Sequence, residues 1–212
     1  MLPDPRLVKR ASAHLRKSDP VLAGIMGEVG ACRWRVDRRG GAFAALVESI
    51  VYQQITGAAA ATIHGRLCAL VGRRHPRPED ILGVRAPQLR KAGLSRQKIA
   101  YLRDLARRAR NGLSLRRFSR SEDEAVIAEL VAVKGIGRWT AEMFLIFRLG
   151  RPDVLPVHDY GIRKAMRNAY GLADLPKPEE MQRIAEGWRP YRTLGCWYLW
   201  RSLDTRGRAA KP

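Results

Sequence analysis

Asp159 follows Pro156-Val157-His158 and precedes Tyr160-Gly161-Ile162-Arg163, a stretch that reads as the opening of a helix. An Asp in that position is a natural N-cap, its carboxylate accepting from N–H groups of the first turn. The same carboxylate, held in one orientation by capping, can also stabilise a developing cation or take a proton from water. The two roles are compatible. Upstream stand Trp139 and the run Lys134-Gly135-Ile136-Gly137-Arg138. Two glycines let the backbone reverse tightly and bring its N–H groups to the surface. Those donors lie at the start of the next helix, where the helix dipole favours an anion. Ile136, apolar between them, is expected to plug the turn into the core. An ordinary αα-hairpin would carry the same glycines; the basic neighbours Lys134 and Arg138 tip the reading towards an anion site.

The elements that must hold these groups are helical nearly throughout. The segment Ala42–Ile55 is apolar on almost every face and must be buried. Thr56 caps a second, alanine-rich run over Gly57–Val71, so Gln54 and Ile55 fall in a tight turn between two core helices. Short helices are predicted over Glu79–Val84 and Pro87–Ala92, and Ser95 caps a basic helix over Gln97–Arg110. Glu122–Val133 and Arg138–Leu149 flank the glycine turn, with Thr140 and Met143 on the second of them. After a proline-bounded loop come helices over Tyr160–Tyr170, Pro178–Glu186 and about Pro190–Leu203. Val36–Arg39 is too short and polar for a strand, so an all-α fold is expected.

Composition narrows the partner. The 212 residues include 40 Lys+Arg against 20 Asp+Glu, a formal net charge of +20. Such an excess suits a polyanion, and nucleic acid is the commonest. An arginine-heavy genome or a ribosomal or architectural role would also raise the charge, so charge alone does not name the chemistry. Cys32, Cys68 and Cys196 form no metal-binding spacing, and the amino terminus lacks a leader's apolar region. These features point to a soluble, cytoplasmic protein.

Taken together, these segments resemble the helix-hairpin-helix DNA glycosylase superfamily, and more narrowly its DNA-3-methyladenine glycosylase II branch. Four blocks between about Phe43 and Leu203 carry the resemblance. They are Glu48-Ser-Ile-Val-Tyr-Gln53-Gln54-Ile55-Thr56, Gly93-Leu-Ser-Arg-Gln-Lys98, the glycine hairpin, and Trp188-Arg-Pro-Tyr-Arg192 with Tyr198-Leu-Trp200. The chain is similar to a short form, without the β-domain of larger relatives. The resemblance implies two helical subdomains flanking a cleft, one from residues 1–40 with 152–212 and one from 41–151, the hairpin lying at about 124–149.

The resemblance also implies roles. Asp159 falls where the family's catalytic carboxylate does. Trp139 and Trp200 match its base-pocket aromatics, with Tyr160 and Met143 beside them; Met143 stands where a better-known relative has tyrosine. Gly135, Ile136, Gly137, Lys134, Arg138 and Thr140 would bind DNA, and Gln54 or Ile55 would fill the gap left by a flipped base. Trp197 and Tyr160 fit the core equally well, and His158 reads as a structural histidine rather than a DNA contact. Strand-cutting members carry a lysine at position 139, so a tryptophan there implies water as nucleophile and no lyase step. The expected enzyme is a monofunctional glycosylase releasing 3-methyladenine, 7-methylguanine and related alkylated purines from double-stranded DNA. It would act as a monomer, associated with the nucleoid, with no cofactor and no iron–sulfur cluster; main-chain carbonyls of the hairpin could hold a monovalent cation. The alternatives are a glycosylase of the same fold for other damaged or deaminated bases, and a noncatalytic hairpin module.

Overall fold

The protein, seen as a computed structural model, is described over residues 4–113, 115 and 117–209, the side chains of 205–209 excepted. Twelve α-helices and no strand are found among the described residues. None of those helices is long and apolar enough to cross a membrane.

Capping explains where several of them begin. The carboxylate of Asp4 accepts the Arg6 N–H at the start of α1 (Pro5–Ser18), and Asp19 accepts the Leu22 N–H at the start of α2 (Pro20–Val29). In both, proline occupies the first helical position, where its missing N–H costs nothing. Thr56 and Ser95 cap α4 (Gly57–Leu70) and α7 (Arg96–Arg110) in the same way. The two amino-terminal helices are additions to the sequence reading, although both carry an Asp-Pro start signal.

The chain divides into two compact units. Unit 1 comprises residues 1–37 and 145–212. It contains α1, α2, α10 (Tyr160–Tyr170), α11 (Pro178–Ile184) and α12 (Arg192–Ala209). Helix α12 packs on α2 and α10, and α1 packs on α2. Leu15, Leu22, Met26, Met166, Trp188 and Leu199 fill its core. At the corner between α1 and α2 the buried Asp19 carboxylate also accepts from Trp188 Nε1 at 2.7 Å and from the Tyr170 hydroxyl. Burial and that carboxylate together push the Tyr170 phenol well above its ordinary pKa. One buried acid thus joins three elements.

Unit 2 comprises residues 38–144. It contains α3 (Gly41–Tyr52), α4, α5 (Pro78–Gly83), α6 (Ala86–Lys91), α7, α8 (Asp123–Val131) and α9 (Arg138–Phe144). As its all-round apolar sequence requires, α3 is the central helix, packed on α4, α7 and α9. Helix α3 ends at Tyr52, just ahead of the expected Gln54–Ile55 turn. The helix expected over Arg138–Leu149 is shorter than its sequence suggests: it leaves α-helical geometry after Phe144 and continues as a π-helical turn over Leu145–Leu149.

Candidate active site and nucleic-acid interface

Unit 1 holds the carboxylate. Asp159 is the N-cap of α10 and is 8% exposed. Its Oδ1 accepts the Ile162 N–H at 2.8 Å and the Trp200 indole Nε1–H at 3.0 Å. Its backbone is tied as well, the N–H donating to the Pro156 carbonyl and the C=O accepting from Arg163. Gly161 makes room for this arrangement: a Cβ there would stand 3.1 Å from Asp159 Oδ1 and 3.3 Å from Trp200 Nε1.

Helix α12 sets both ends of the loop leading to Asp159. Near its start, the Arg192 guanidinium holds Asp153 at 2.8 and 2.9 Å, and Arg189 joins at 3.0 Å. Thr193 Oγ1 donates to the Arg151 carbonyl and accepts from the Val154 N–H. Two turns further on, Trp200 reaches Asp159 and lies against Phe147 with ring centroids 5.8 Å apart. Residues 192, 196 and 200 recur every four positions, so one stripe of the helix makes these contacts, Cys196 with the Val154 carbonyl among them. Trp200 therefore orients the carboxylate as well as presenting an aromatic face. Trp197 is buried against Tyr198 and belongs to the core, whereas Tyr160 and His158 are exposed.

Unit 2 holds the hairpin and the α3–α4 turn. Gly135 has φ +82°, and a Cβ on it would lie 2.1 Å from Cδ2 of Tyr101. Gly137 differs. Its φ is not left-handed and nothing lies within 4 Å of its would-be Cβ, so only the first glycine is demanded by the turn itself. Ile136 is buried, as its plugging role requires, and Thr140 is buried too, so neither side chain faces solvent. The Ile136 N–H donates to the Val133 carbonyl, and the Lys134 N–H to Asp104 Oδ2 at 2.9 Å. Burial would raise the Asp104 carboxyl, but the Lys134 N–H and the Arg108 guanidinium hold it below the ordinary carboxylate range.

Arg138 is not a free cation. Glu124 takes its guanidinium through two nitrogens and Glu142 takes Nε at 3.1 Å. The hydrogen bond from Arg138 holds the Glu124 carboxyl below its usual range. Lys134 is exposed, as is Arg138 despite its two carboxylate partners.

A concavity of about 880 Å³ in unit 2 is walled by the hairpin glycines, the α3–α4 turn and the opening of α7. Trp139, 47% exposed, and the half-buried Met143 line it. So do Gln54 and Ile55. Gln54 has φ +56°, the one left-handed residue other than glycine among the described residues. That conformation costs a side-chain-bearing residue about 1–2 kcal/mol, and such strain persists where neighbours enforce it. The sequence block Gly93–Lys98 lies on the same wall: Lys98 Nζ donates to the Val51 carbonyl at 2.6 Å, and burial pushes its pKa down. Sequence reasoning singled out that block without a role. It named Gln53 only as part of a block, without its bond to Gly135, and missed Asp104 and Asp153 altogether, because their partners lie 82, 30 and 36–39 residues away.

Residues 47–190 match the family described as "HhH-GPD superfamily base excision DNA repair protein". DNA-3-methyladenine glycosylase 1 of Schizosaccharomyces pombe is 34% identical over 160 residues, covering 74% of this chain and 70% of the relative. Among solved structures, a DNA-3-methyladenine glycosidase from Bacillus halodurans is similar with a TM-score of 0.83 and 34% identity, over 92% of this chain and 89% of that one. A 3-methyladenine DNA glycosylase from S. pombe, solved in complex with abasic DNA, is similar with a TM-score of 0.76 and 32% identity, over 90% and 95% of the two chains.

Proposed function

Because the chain belongs to the HhH-GPD superfamily of base excision DNA repair proteins, we infer that it is a monofunctional DNA glycosylase removing alkylated purines, with Asp159 as its catalytic carboxylate. One observation carries the assignment: a nearly buried carboxylate, capping a helix and fixed by a second donor on the same oxygen. Two donors on Oδ1 leave the group little freedom to rotate.

The chemistry follows from that fixed charge. The C1′–N bond of a flipped nucleotide breaks and its electron pair leaves with the base. Positive charge develops on the sugar, and Asp159 stabilises it as a carboxylate does in glycoside hydrolysis. Water forms the new C1′–O bond and its proton passes to the carboxylate. N3- and N7-alkylated purines are cationic, so they depart as neutral bases without a strong general acid. Trp200, beside Asp159 on unit 1, and Trp139, on unit 2, are each electron-rich faces able to stack on such a cation, worth about 0.5–2 kcal/mol; Tyr160 and Met143 are further candidates for base contact on their respective units. Tryptophan at 139 cannot form a Schiff base, so the strand stays intact.

Double-stranded DNA is the partner. Phosphate would be gripped by main-chain N–H groups at Gly137 and the first turn of α9, which a helix leaves without intrahelical acceptors. Lys134 adds charge, and Gln54 or Ile55 fills the vacated stack. The reaction as written needs no cofactor. A monovalent cation at the hairpin would use main-chain carbonyls such as that of Val133, whose second lone pair can accept it beside the Ile136 N–H; it would add positive charge near a phosphate. The enzyme would work as a monomer at the cytoplasmic nucleoid.

The test is release of 3-methyladenine or 7-methylguanine from alkylated duplex in the presence of a chelator. Strand breaks should appear only after alkali or heat. Borohydride trapping of a covalent enzyme–DNA adduct would overturn the assignment.

A further inference from the structure

Three residues separate α3 from the Thr56 cap of α4: Gln53, Gln54 and Ile55. Gln54 and Ile55 are exposed, and Gln54 is held in the left-handed region. Such a turn would relax unless fixed on both sides, and it is. The Gln53 amide Nε2 donates to the Gly135 carbonyl at 2.7 Å, bridging 82 residues of sequence to the tip of the hairpin. Behind it, Lys98 Nζ binds the Val51 carbonyl in the last turn of α3.

Helix α7 backs both loops at once. Lys98, Tyr101 and Asp104 recur every three positions and so lie close together along the helix surface. Lys98 holds the end of α3, the Tyr101 ring fills the space a Cβ on Gly135 would need, and Asp104 binds the Lys134 N–H. The hairpin and the turn are therefore two outputs of one brace, and Gln53 is the direct bond between them.

We propose that Gln53 is a positioning residue that couples the phosphate-gripping hairpin to the turn that probes the base stack. Its amide fixes where Gln54 and Ile55 stand relative to Gly135. Gripping a phosphate then sets how far the turn enters the duplex, and base extrusion depends on that depth. The bond touches neither the leaving base nor the sugar, so Gln53 acts on extrusion and leaves both the chemical step and simple duplex binding alone. This inference rests on the glycosylase reading above.

The experiment uses the full chain with Gln53→Met, which keeps the side chain's length and removes the donor. Gln53→Glu is run beside it, so that a folding defect in one variant leaves the other. Three quantities are read: affinity for undamaged duplex, fluorescence of 2-aminopurine next to a tetrahydrofuran abasic analogue, and single-turnover release of 7-methylguanine. Release is measured both from a fully paired duplex and from one whose opposite strand lacks the partner base, where extrusion is easier.

Undamaged-duplex affinity should stay within about 2-fold of wild type, while the 2-aminopurine signal falls about 5-fold. Release from paired duplex should fall about 10-fold or more and recover to within about 3-fold on the gapped-partner duplex. Equal losses on both duplexes, an undamaged-duplex affinity falling by the same factor, or an unchanged 2-aminopurine signal would each overturn the coupling. Absence of release by wild-type protein from either duplex would instead sink the glycosylase reading, and the fluorescence arm would still decide the role of Gln53.

Discussion

Trp200 Nε1 and the Ile162 N–H converge on a single oxygen of Asp159, at 3.0 and 2.8 Å. One donor belongs to the helix that Asp159 caps and the other to α12, so the carboxylate is oriented by two independent elements. This makes its structural and chemical roles separable.

Asp159→Asn keeps an oxygen for both donors and remains a good N-cap, so stability should change by about 1 kcal/mol or less. The negative charge is lost, and single-turnover base release should fall by ~10²-fold or more. Affinity for lesion DNA should hold or rise, since a carboxylate near phosphates is gone. The loss should be smallest for the cationic N3- and N7-alkylated purines, which leave most readily. A folded Asn variant with near-normal release would show that Asp159 is only a cap.

Trp200→Phe preserves an aromatic ring against Phe147 and removes the indole donor. A hydrogen bond to a charged acceptor contributes about 1.5–3 kcal/mol, so release should slow by roughly 10-fold or more while DNA affinity changes little. A matching fall in affinity would mean that the indole acts chiefly as a stacking surface.

The two hairpin glycines should respond differently. Gly135→Ala drives a Cβ into Tyr101 at a left-handed φ and should cost about 2–4 kcal/mol in denaturant unfolding. Gly137→Ala meets no neighbour and should stay within about 1 kcal/mol of wild type. Its methyl group would nevertheless stand where a phosphate approaches the backbone, lowering affinity for lesion and plain duplex alike. Unchanged binding by Gly137→Ala would remove the anion site from this part of the hairpin.

Glu124→Gln should tighten DNA binding. Glu124 is exposed, so losing its pair with Arg138 costs less than about 1 kcal/mol of stability. Losing the Glu124 carboxylate leaves Arg138 paired with Glu142 alone and raises the net charge beside the hairpin by one, so the slope of log affinity against log salt should steepen by about 1. Anisotropy titrations over a salt series would show it; an unchanged slope would place Arg138 away from the DNA.

Asp104 gives the hairpin a pH dependence. Its folded pKa is depressed, so its contribution is fully present above the unfolded value of about 4 and is lost as pH falls through the lower folded value. The stability difference between wild type and Asp104→Asn should therefore be constant near neutrality and shrink below about pH 4. A gap that persists unchanged under acid would mean the carboxylate's hydrogen bonds to Lys134 and Arg108 do not stabilise the fold.

Local signals were the legible ones. Helix α10 begins and ends as read, because Asp159 caps it and Gly171, with φ +64°, closes it. The turn before Thr56 was legible for the same reason. The π-helical turn after Phe144 was not, since Leu145-Ile146-Phe147 continues the apolar pattern without a break. Arg138 looked like a DNA contact because it is basic and flanks the glycines. Its partner Glu142, four residues on, follows from helical spacing, but Glu124 lies 14 residues back and only the fold brings it near. The bracing contacts of Gln53, Asp104 and Asp153 are of the same kind: ordinary polar residues whose meaning is set by distant backbone.

The bracing of the hairpin has a consequence for how binding energy is used. Fixing one residue's backbone costs about 1–2 kcal/mol in conformational entropy. A five-residue loop that ordered only on meeting DNA would forfeit about 5 kcal/mol or more, between three and four decades of affinity. Here Asp104, Tyr101 and the buried Ile136 side chain have already set residues 134–138 in place. The ordering is complete before any phosphate arrives, so what the contact yields is available for bending the duplex and drawing out a base.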